Sequence, residues 1–239
     1  MRYQLVDCRW DITDIDAGRR LYRESHIPGA SFLDLDRDLS APPSVPGGRH
    51  PLPRVEDLQA AARRAGISGD TLVLAYDTGN GGAARLWWLL RHFGHDACGI
   101  LDFRTWRGPL TAGEETPEPG DFTAADPRDD IIEADELAAR LDDPSLTIVD
   151  ARTAARFAGE PSPLDPKPGH MPGACSFFYG STDPLPPELL EAEELAVYCG
   201  SGVTAAVVLA RLAQAGRPDA KLYPGSWSDW ATRDLPVGR

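Results

Sequence analysis

Short apolar runs alternate with longer stretches of helical periodicity along the whole chain. Strand-like runs fall at 4–6, 71–76 and 98–101, and again at 146–149, 195–198 and 220–223. Helix-like stretches fall at 55–65, 83–93, 134–141 and 204–215. In the second helix Leu86, Leu89, Leu90 and Phe93 keep the i, i+3, i+4, i+7 spacing of a buried stripe. Gly66, Gly94 and Gly216 stand where left-handed C-terminal caps belong. Strands that alternate with helices in this way imply an α/β fold with mainly parallel sheets flanked by helices. In such sheets ligands bind beyond the carboxyl ends of the strands, where Asp77 and Cys199 stand.

The pattern occurs twice. An apolar run ending in Asp-Xaa-Arg appears as Leu5-Val-Asp7-Cys-Arg9 and as Ile148-Val-Asp150-Ala-Arg152. His26-Ile-Pro-Gly-Ala30 is matched by His170-Met-Pro-Gly-Ala174, and the strand ending at Asp77 by the strand ending at Cys199. The second set lies 143 or 144 residues after the first at the early motifs and 122 residues after it from Asp77 onward. The chain therefore reads as two tandem domains, residues 1–110 and 131–239. The Pro-, Gly- and acid-rich segment 111–130 is expected as a linker. The second copy is about 22 residues shorter, between residues 174 and 195.

Composition narrows the function. The 239 residues carry a net charge of −13, which repels a phosphate backbone and argues against nucleic acid as a partner. No apolar run approaches the length of a membrane span, and the first residues lack the apolar core of a signal peptide. The four cysteines, 8, 98, 175 and 199, form no C-x-x-C pair, which argues against a zinc site or dithiol centre. A cytoplasmic protein with free thiols is expected.

The segment Tyr198-Cys199-Gly-Ser-Gly-Val-Thr204 runs from a strand end into a helix start. Gly200 and Gly202 let the backbone curl and turn its N–H groups inward, and the helix start adds free donors. Such a cradle stabilises an anion on sulfur, so Cys199 is expected to be the most reactive of the four thiols. A buried, inert cysteine is the plain alternative. Gly200-Ser-Gly202-Val-Thr-Ala205 also fits the dinucleotide pattern G-x-G-x-x-A, but Asp219 precedes the next strand instead of ending it, and the motif closes a domain instead of opening one. A cysteine phosphatase would need an arginine at position 205, where the chain has Ala205.

Taken together, Ser25-His-Ile-Pro-Gly-Ala30, Gly48-Arg-His-Pro-Leu-Pro53, Arg85-Leu-Trp-Trp88, Gly169-His-Met-Pro-Gly-Ala174, the 199–204 loop and Leu222-Tyr-Pro-Gly-Ser-Trp227 resemble the two-domain rhodanese family of sulfurtransferases over essentially the whole chain. The resemblance implies two tandem rhodanese-like domains, the first silent because Asp77 takes the cysteine position. The six-residue loop is similar to that of the 3-mercaptopyruvate branch. The resemblance then implies a relay of Asp36, His50 and Ser201, with Cys199 as nucleophile and sulfur carrier. It also implies Arg156 as the grip on a substrate carboxylate, and Gly200, Gly202, Val203 and Thr204 as the donor-binding loop. The second arginine usual in that branch is replaced by Leu164, for which Lys167 is the expected substitute.

The expected reaction moves a sulfane sulfur from a small-molecule donor, 3-mercaptopyruvate, through a persulfide on Cys199. The acceptor would be a thiol, cyanide or a small thiol protein, and no metal or organic cofactor is needed. Thiosulfate as the donor, and a non-catalytic binding or persulfide-sensing module, are the alternatives. Arginine and lysine at positions 200 and 201 are expected to move preference toward thiosulfate.

Overall fold

A computed structural model describes residues 2–239; Met1, the first residue of the expected first domain, lies outside the described residues. The chain divides into two compact units. The first comprises Met1–Ala41 and Leu52–Arg128, and the second comprises Pro42–Pro51 and Asp129–Arg239.

The first unit contains β1 (Arg2–Asp7), α1 (Ala17–Glu24), β2 (Ser31–Phe32), α2 (Val55–Arg64), β3 (Thr71–Asp77), α3 (Gly82–His92) and β4 (Cys98–Asp102). Its sheet has the order β2-β1-β3-β4, and every pairing is parallel. The second unit contains α4 (Ala134–Ala139), β5 (Leu146–Asp150), α5 (Ala154–Phe157), β6 (Cys175–Ser176), α6 (Pro187–Glu191), β7 (Glu194–Tyr198), α7 (Ala205–Gln214), β8 (Lys221–Leu222) and α8 (Ser226–Trp230). Its parallel sheet repeats the order as β6-β5-β7-β8. The α/β reading of the sequence holds in both units.

The repeated motifs lock the same joint in each copy. Asp7 ends β1 and takes a two-pronged bond from the Arg9 guanidinium, at 2.9 Å from Nε and 2.6 Å from Nη2. Arg9 Nη2 also donates to the carbonyl of Ser25, the residue before His26. In the second unit Arg152 grips Asp150 at 3.0 and 2.7 Å and donates to the Gly169 carbonyl at 2.7 Å, just before His170. The next strand adds a phenol: Tyr76 accepts from the Ile27 N–H, and Tyr198 accepts from the Met171 N–H. Asp150 and Arg152 are fully buried, so each charge depends on its partner.

Two features depart from the periodicity. The stripe predicted on α3 is buried on nearly every face, Arg85 included, whose Nε donates to the Leu39 carbonyl. Such a helix is a core element and not an amphipathic cover. The segment expected as a linker is fastened to the first unit: Gly120 N–H donates to the Arg63 carbonyl and Phe122 N–H to the Ile67 carbonyl, and Phe122 is buried. A Cβ at Gly120 would lie 1.9 Å from the Ile67 oxygen, so only glycine permits this approach.

The core of the second unit gathers Ile132, Leu137, Ile148, Met171, Tyr198, Tyr223, Trp227 and Trp230. Trp227 also lies under the Arg152 guanidinium, 4.6 Å from its carbon to the ring centroid.

Candidate active site

β7 ends at Tyr198 and α7 begins at Ala205, so residues 199–204 form the loop at the carboxyl end of an interior strand. Gly202 has φ +75°, and a Cβ there would lie 2.4 Å from the Pro224 carbonyl oxygen. The tight turn therefore requires glycine. Cys199 is 1% exposed. Its N–H donates to Ser226 Oγ at 3.1 Å, while Ser226 Oγ donates to the Tyr223 carbonyl at 2.9 Å. Ser226 holds this position at φ 52°, a left-handed conformation uncommon for a residue with a side chain. The carbonyls of Cys199 and Gly200 accept from the N–H groups of Trp227 and Ser228. The N–H groups of Ser201, Val203 and Thr204 meet no acceptor among the described residues. The loop is thus clamped through its carbonyls, with N–H donors left over for an anion at its centre.

His50 approaches from the segment Pro42–Pro51, which clusters with the second unit although it lies within the span read as the first domain. Its Nδ1 is 2.7 Å from Ser201 Oγ, and both side chains are buried. Asp36 belongs to the first unit, in the turn after β2, where its N–H donates to Asp34 Oδ1.

Arg156 is partly buried on α5, and Asp165 takes its Nε at 2.8 Å and also its Nη2. Asp165 further receives Arg152 Nη1 at 3.3 Å. Arg156 therefore has one edge committed to a carboxylate and its Nη1–Nη2 edge turned toward the loop. A Cβ placed on Gly200 would lie 2.9 Å from Arg156 Nη2 and 3.7 Å from its Nη1. The same Cβ would lie 3.4 Å from Nη2 of Arg49, a residue that the sequence reading did not single out. Lys167 enters through its backbone, its carbonyl accepting from the Trp227 indole at 2.9 Å.

Access orders the thiols differently from the sequence expectation. Cys175 is exposed and Cys8 and Cys199 are buried. Burial pushes the Cys8 thiol up, and pushes Cys98 up to about 12. A bulky alkylating reagent reaches Cys175 more easily than Cys199, whatever their intrinsic reactivity.

Residues 1–103 and 133–233 each match the Rhodanese-like domain. The chain belongs to the rhodanese family. A Pseudomonas aeruginosa rhodanese relative, named as a probable 3-mercaptopyruvate sulfurtransferase, is 43% identical over 252 residues, covering 95% of this chain and 89% of that protein. Another from Mycobacterium tuberculosis, provisionally named a thiosulfate sulfurtransferase, SseB, is 37% identical over 260 residues, covering 98% and 90%. Among solved rhodanese folds, SseA from Escherichia coli, described as a 3-mercaptopyruvate sulfotransferase, superposes with a TM-score of 0.79 at 32% identity, covering 95% of this chain and 93% of that one. These relatives support a sulfurtransferase function. Among the described residues no helix is long and apolar enough to cross a membrane.

Proposed function

We propose that the chain is a 3-mercaptopyruvate sulfurtransferase that carries sulfur on Cys199 as a persulfide and delivers it to a thiol or cyanide. The contact of His50 Nδ1 with Ser201 Oγ, two residues beyond Cys199, carries this reading. It supplies a hydroxyl and an imidazole at the loop, where the donor thiol has to lose or hold a proton.

In the first half-reaction the Cys199 thiolate attacks the donor sulfur. The new S–S bond forms as the C–S bond breaks, and the bonding pair leaves on carbon as the enolate of pyruvate, which takes a proton. The donor's thiol proton passes toward Ser201 and His50, leaving an anionic persulfide among the loop N–H groups. In the second half-reaction an acceptor thiolate or cyanide attacks the outer sulfur, and Cys199 leaves as its thiolate. Gly200, Gly202, Val203 and Thr204 supply the backbone of the cradle, and Arg156 binds the donor carboxylate. Asp36 is assigned to the relay on the family resemblance alone. The free cysteines fit a cytoplasmic setting.

Thiosulfate is the second reading, favoured by the name of the Mycobacterium tuberculosis relative. Charge argues against it. Arg49, Arg152 and Arg156 face Asp150 and Asp165, which leaves one positive charge for one carboxylate and not for a compact dianion. The test is steady-state kinetics with both donors at one acceptor concentration, together with the mass of the Cys199 peptide after each donor. A higher kcat/KM for 3-mercaptopyruvate and one added sulfur on that peptide are expected. A clear preference for thiosulfate transfers the assignment to that donor.

A further inference from the structure

One face of the second sheet is covered by a segment that the first sheet does without. Leu146, Ile148, Ala196 and Tyr223 are buried in one cluster with Ile132, Ala134 and Leu137, and Ala138 and Leu141 pack against it. Residues 134, 137, 138 and 141 keep the i, i+3, i+4, i+7 spacing, so the α4 segment lays one apolar stripe on that face. The residues just before α4 also extend the sheet. Leu222 N–H donates to the Asp130 carbonyl at 2.8 Å and Ile132 N–H to the Leu222 carbonyl at 2.9 Å, a parallel bridge on the outer edge of β8.

The repeat puts Tyr3, Leu5, Leu74 and Leu101 at the positions of Leu146, Ile148, Ala196 and Tyr223. Tyr3 lies opposite Leu72, Leu5 opposite Leu74 and Leu101 opposite Tyr76, so all stand on one face. The cluster there gathers Ile27, Ala30 and Tyr76, and no counterpart of Ile132, Ala134 or Leu137 joins it among the described residues. Tyr3 is 69% exposed where Leu146 is 9% exposed, and Leu5, Leu72 and Leu74 are only half-buried. An all-parallel sheet ordinarily has both faces covered. The edge is open as well. Val73 N–H donates to the Ala97 carbonyl, so by the alternation of a parallel ladder Gly99 and Leu101 face β3 and Ile100 turns its N–H and carbonyl outward. Ile100 is the counterpart of Leu222; it is exposed, and its outward groups meet no partner among the described residues.

We propose that this face and edge of the first unit are a docking surface for a partner protein's segment patterned like residues 130–141. Its extended residues add in parallel to the β4 edge at Ile100, and the amphipathic helix that follows lays its apolar stripe over Tyr3, Leu5 and Leu74. The occupant is read from the molecule's own second copy, where the same sheet positions and the same edge residue take such a segment. One difference sets a preference. Arg140, at the end of α4, donates to both carboxylate oxygens of Glu194, and the counterpart of Glu194 in the first unit is Leu72. The partner therefore carries an apolar residue where the α4 segment has Arg140.

The test titrates the full chain into a fluorophore-labelled synthetic peptide of residues 129–143 carrying Arg140→Leu, read by anisotropy, with amide exchange at Ile100 and the melting midpoint of each variant. Saturable binding of one peptide per chain is expected, with the Ile100 amide protected. Tyr3→Asp puts a charge on the face, and Ile100→Pro removes only the outward N–H of an edge strand. Each is expected to weaken binding by about tenfold or more, as is Leu137→Asp in the peptide. Tyr3 is exposed, so Tyr3→Asp decides alone if Ile100→Pro lowers the melting midpoint. Absence of saturable binding would overturn the proposal. An affinity within about twofold of wild type in Tyr3→Asp would do the same, because the peptide would then be displacing α4 from the second unit. A dimer of the chain that Tyr3→Asp dissociates would also overturn it, since a second copy would be the occupant.

Discussion

His50 Nδ1 and Ser201 Oγ are 2.7 Å apart in a buried contact that joins two segments about 150 residues apart in sequence. Neither residue is conspicuous alone, and together they place a hydroxyl and an imidazole beside the Cys199 loop. Ser201→Ala and His50→Asn are each expected to lower kcat with 3-mercaptopyruvate by about a hundred- to ten-thousand-fold. The double variant is expected to be little worse than either single one, because the two act as a unit. Stopped-time pyruvate assays on all three variants measure this; strictly multiplicative losses would separate the two residues.

Cys199→Ser is expected to abolish sulfur uptake from every donor, while replacement of Cys8, Cys98 or Cys175 leaves it within a few-fold. The readout is the mass of each cysteine peptide after donor treatment. Alkylation is the poorer probe, because exposed Cys175 competes with buried Cys199 for reagent. Added sulfur that persists in Cys199→Ser would move the carrier elsewhere.

Gly200→Ala places a methyl 2.9 Å from Arg156 Nη2 and 3.4 Å from Arg49 Nη2, so one guanidinium must give way. KM for 3-mercaptopyruvate is expected to rise by about tenfold, with a smaller change in kcat. The expectation that arginine and lysine at positions 200 and 201 redirect the enzyme to thiosulfate therefore changes. Such a pair displaces Arg156 and breaks the His50–Ser201 bond, so loss with both donors is the expected result.

Arg152→Ala removes a fully buried guanidinium from Asp150 and leaves that carboxylate unpaired. Denaturant unfolding is expected to show a loss of about 3–5 kcal/mol. Arg20→Ala, at an exposed ion pair with Asp14, serves as the control and is expected to stay near wild type.

Cys98 supplies a pH signature. Its thiol is raised from 9.0 to about 12 by burial on β4, with Sγ directed at the Trp87 and His95 carbonyls. A folded value above the unfolded one gives stability that is complete below pH 9 and is lost as the pH rises toward 12. The loss reaches about 4 kcal/mol at the top of that window. Unfolding curves of Cys98→Ala and wild type are expected to converge as the pH climbs, and parallel curves would refute the shift.

Much of this architecture is legible from sequence because it rests on local signals. The strands at Thr71–Asp77 and Glu194–Tyr198 and the helix at Gly82–His92 are long enough to show their period, and Gly66, Gly94 and Gly216 adopt the positive φ expected of caps. β2 and β6, of two residues each, are too short to carry any period. α1 escapes because it buries only Ala17, Gly18 and Tyr22. The site divides in the same way. Cys199 announces itself by its glycines, but the approach of Arg49 to Gly200 and the commitment of Arg156 to Asp165 are long-range facts with no local trace. The one available hint for Arg49 was its place beside His50 in the Gly48-Arg-His-Pro motif.

Asp77 has a further consequence. Its carboxylate takes the N–H groups of Gly79 at 2.7 Å and Ala83 at 2.9 Å, where β3 turns into α3. The first copy of the loop thereby already holds a carboxylate, tethered to its own backbone and present at high effective concentration. If Cys199 carries the sulfur, a duplicated receptor has become one plugged socket and one working socket. However symmetric the two sheets are, titration with a sulfur donor should reach its endpoint at one equivalent per chain.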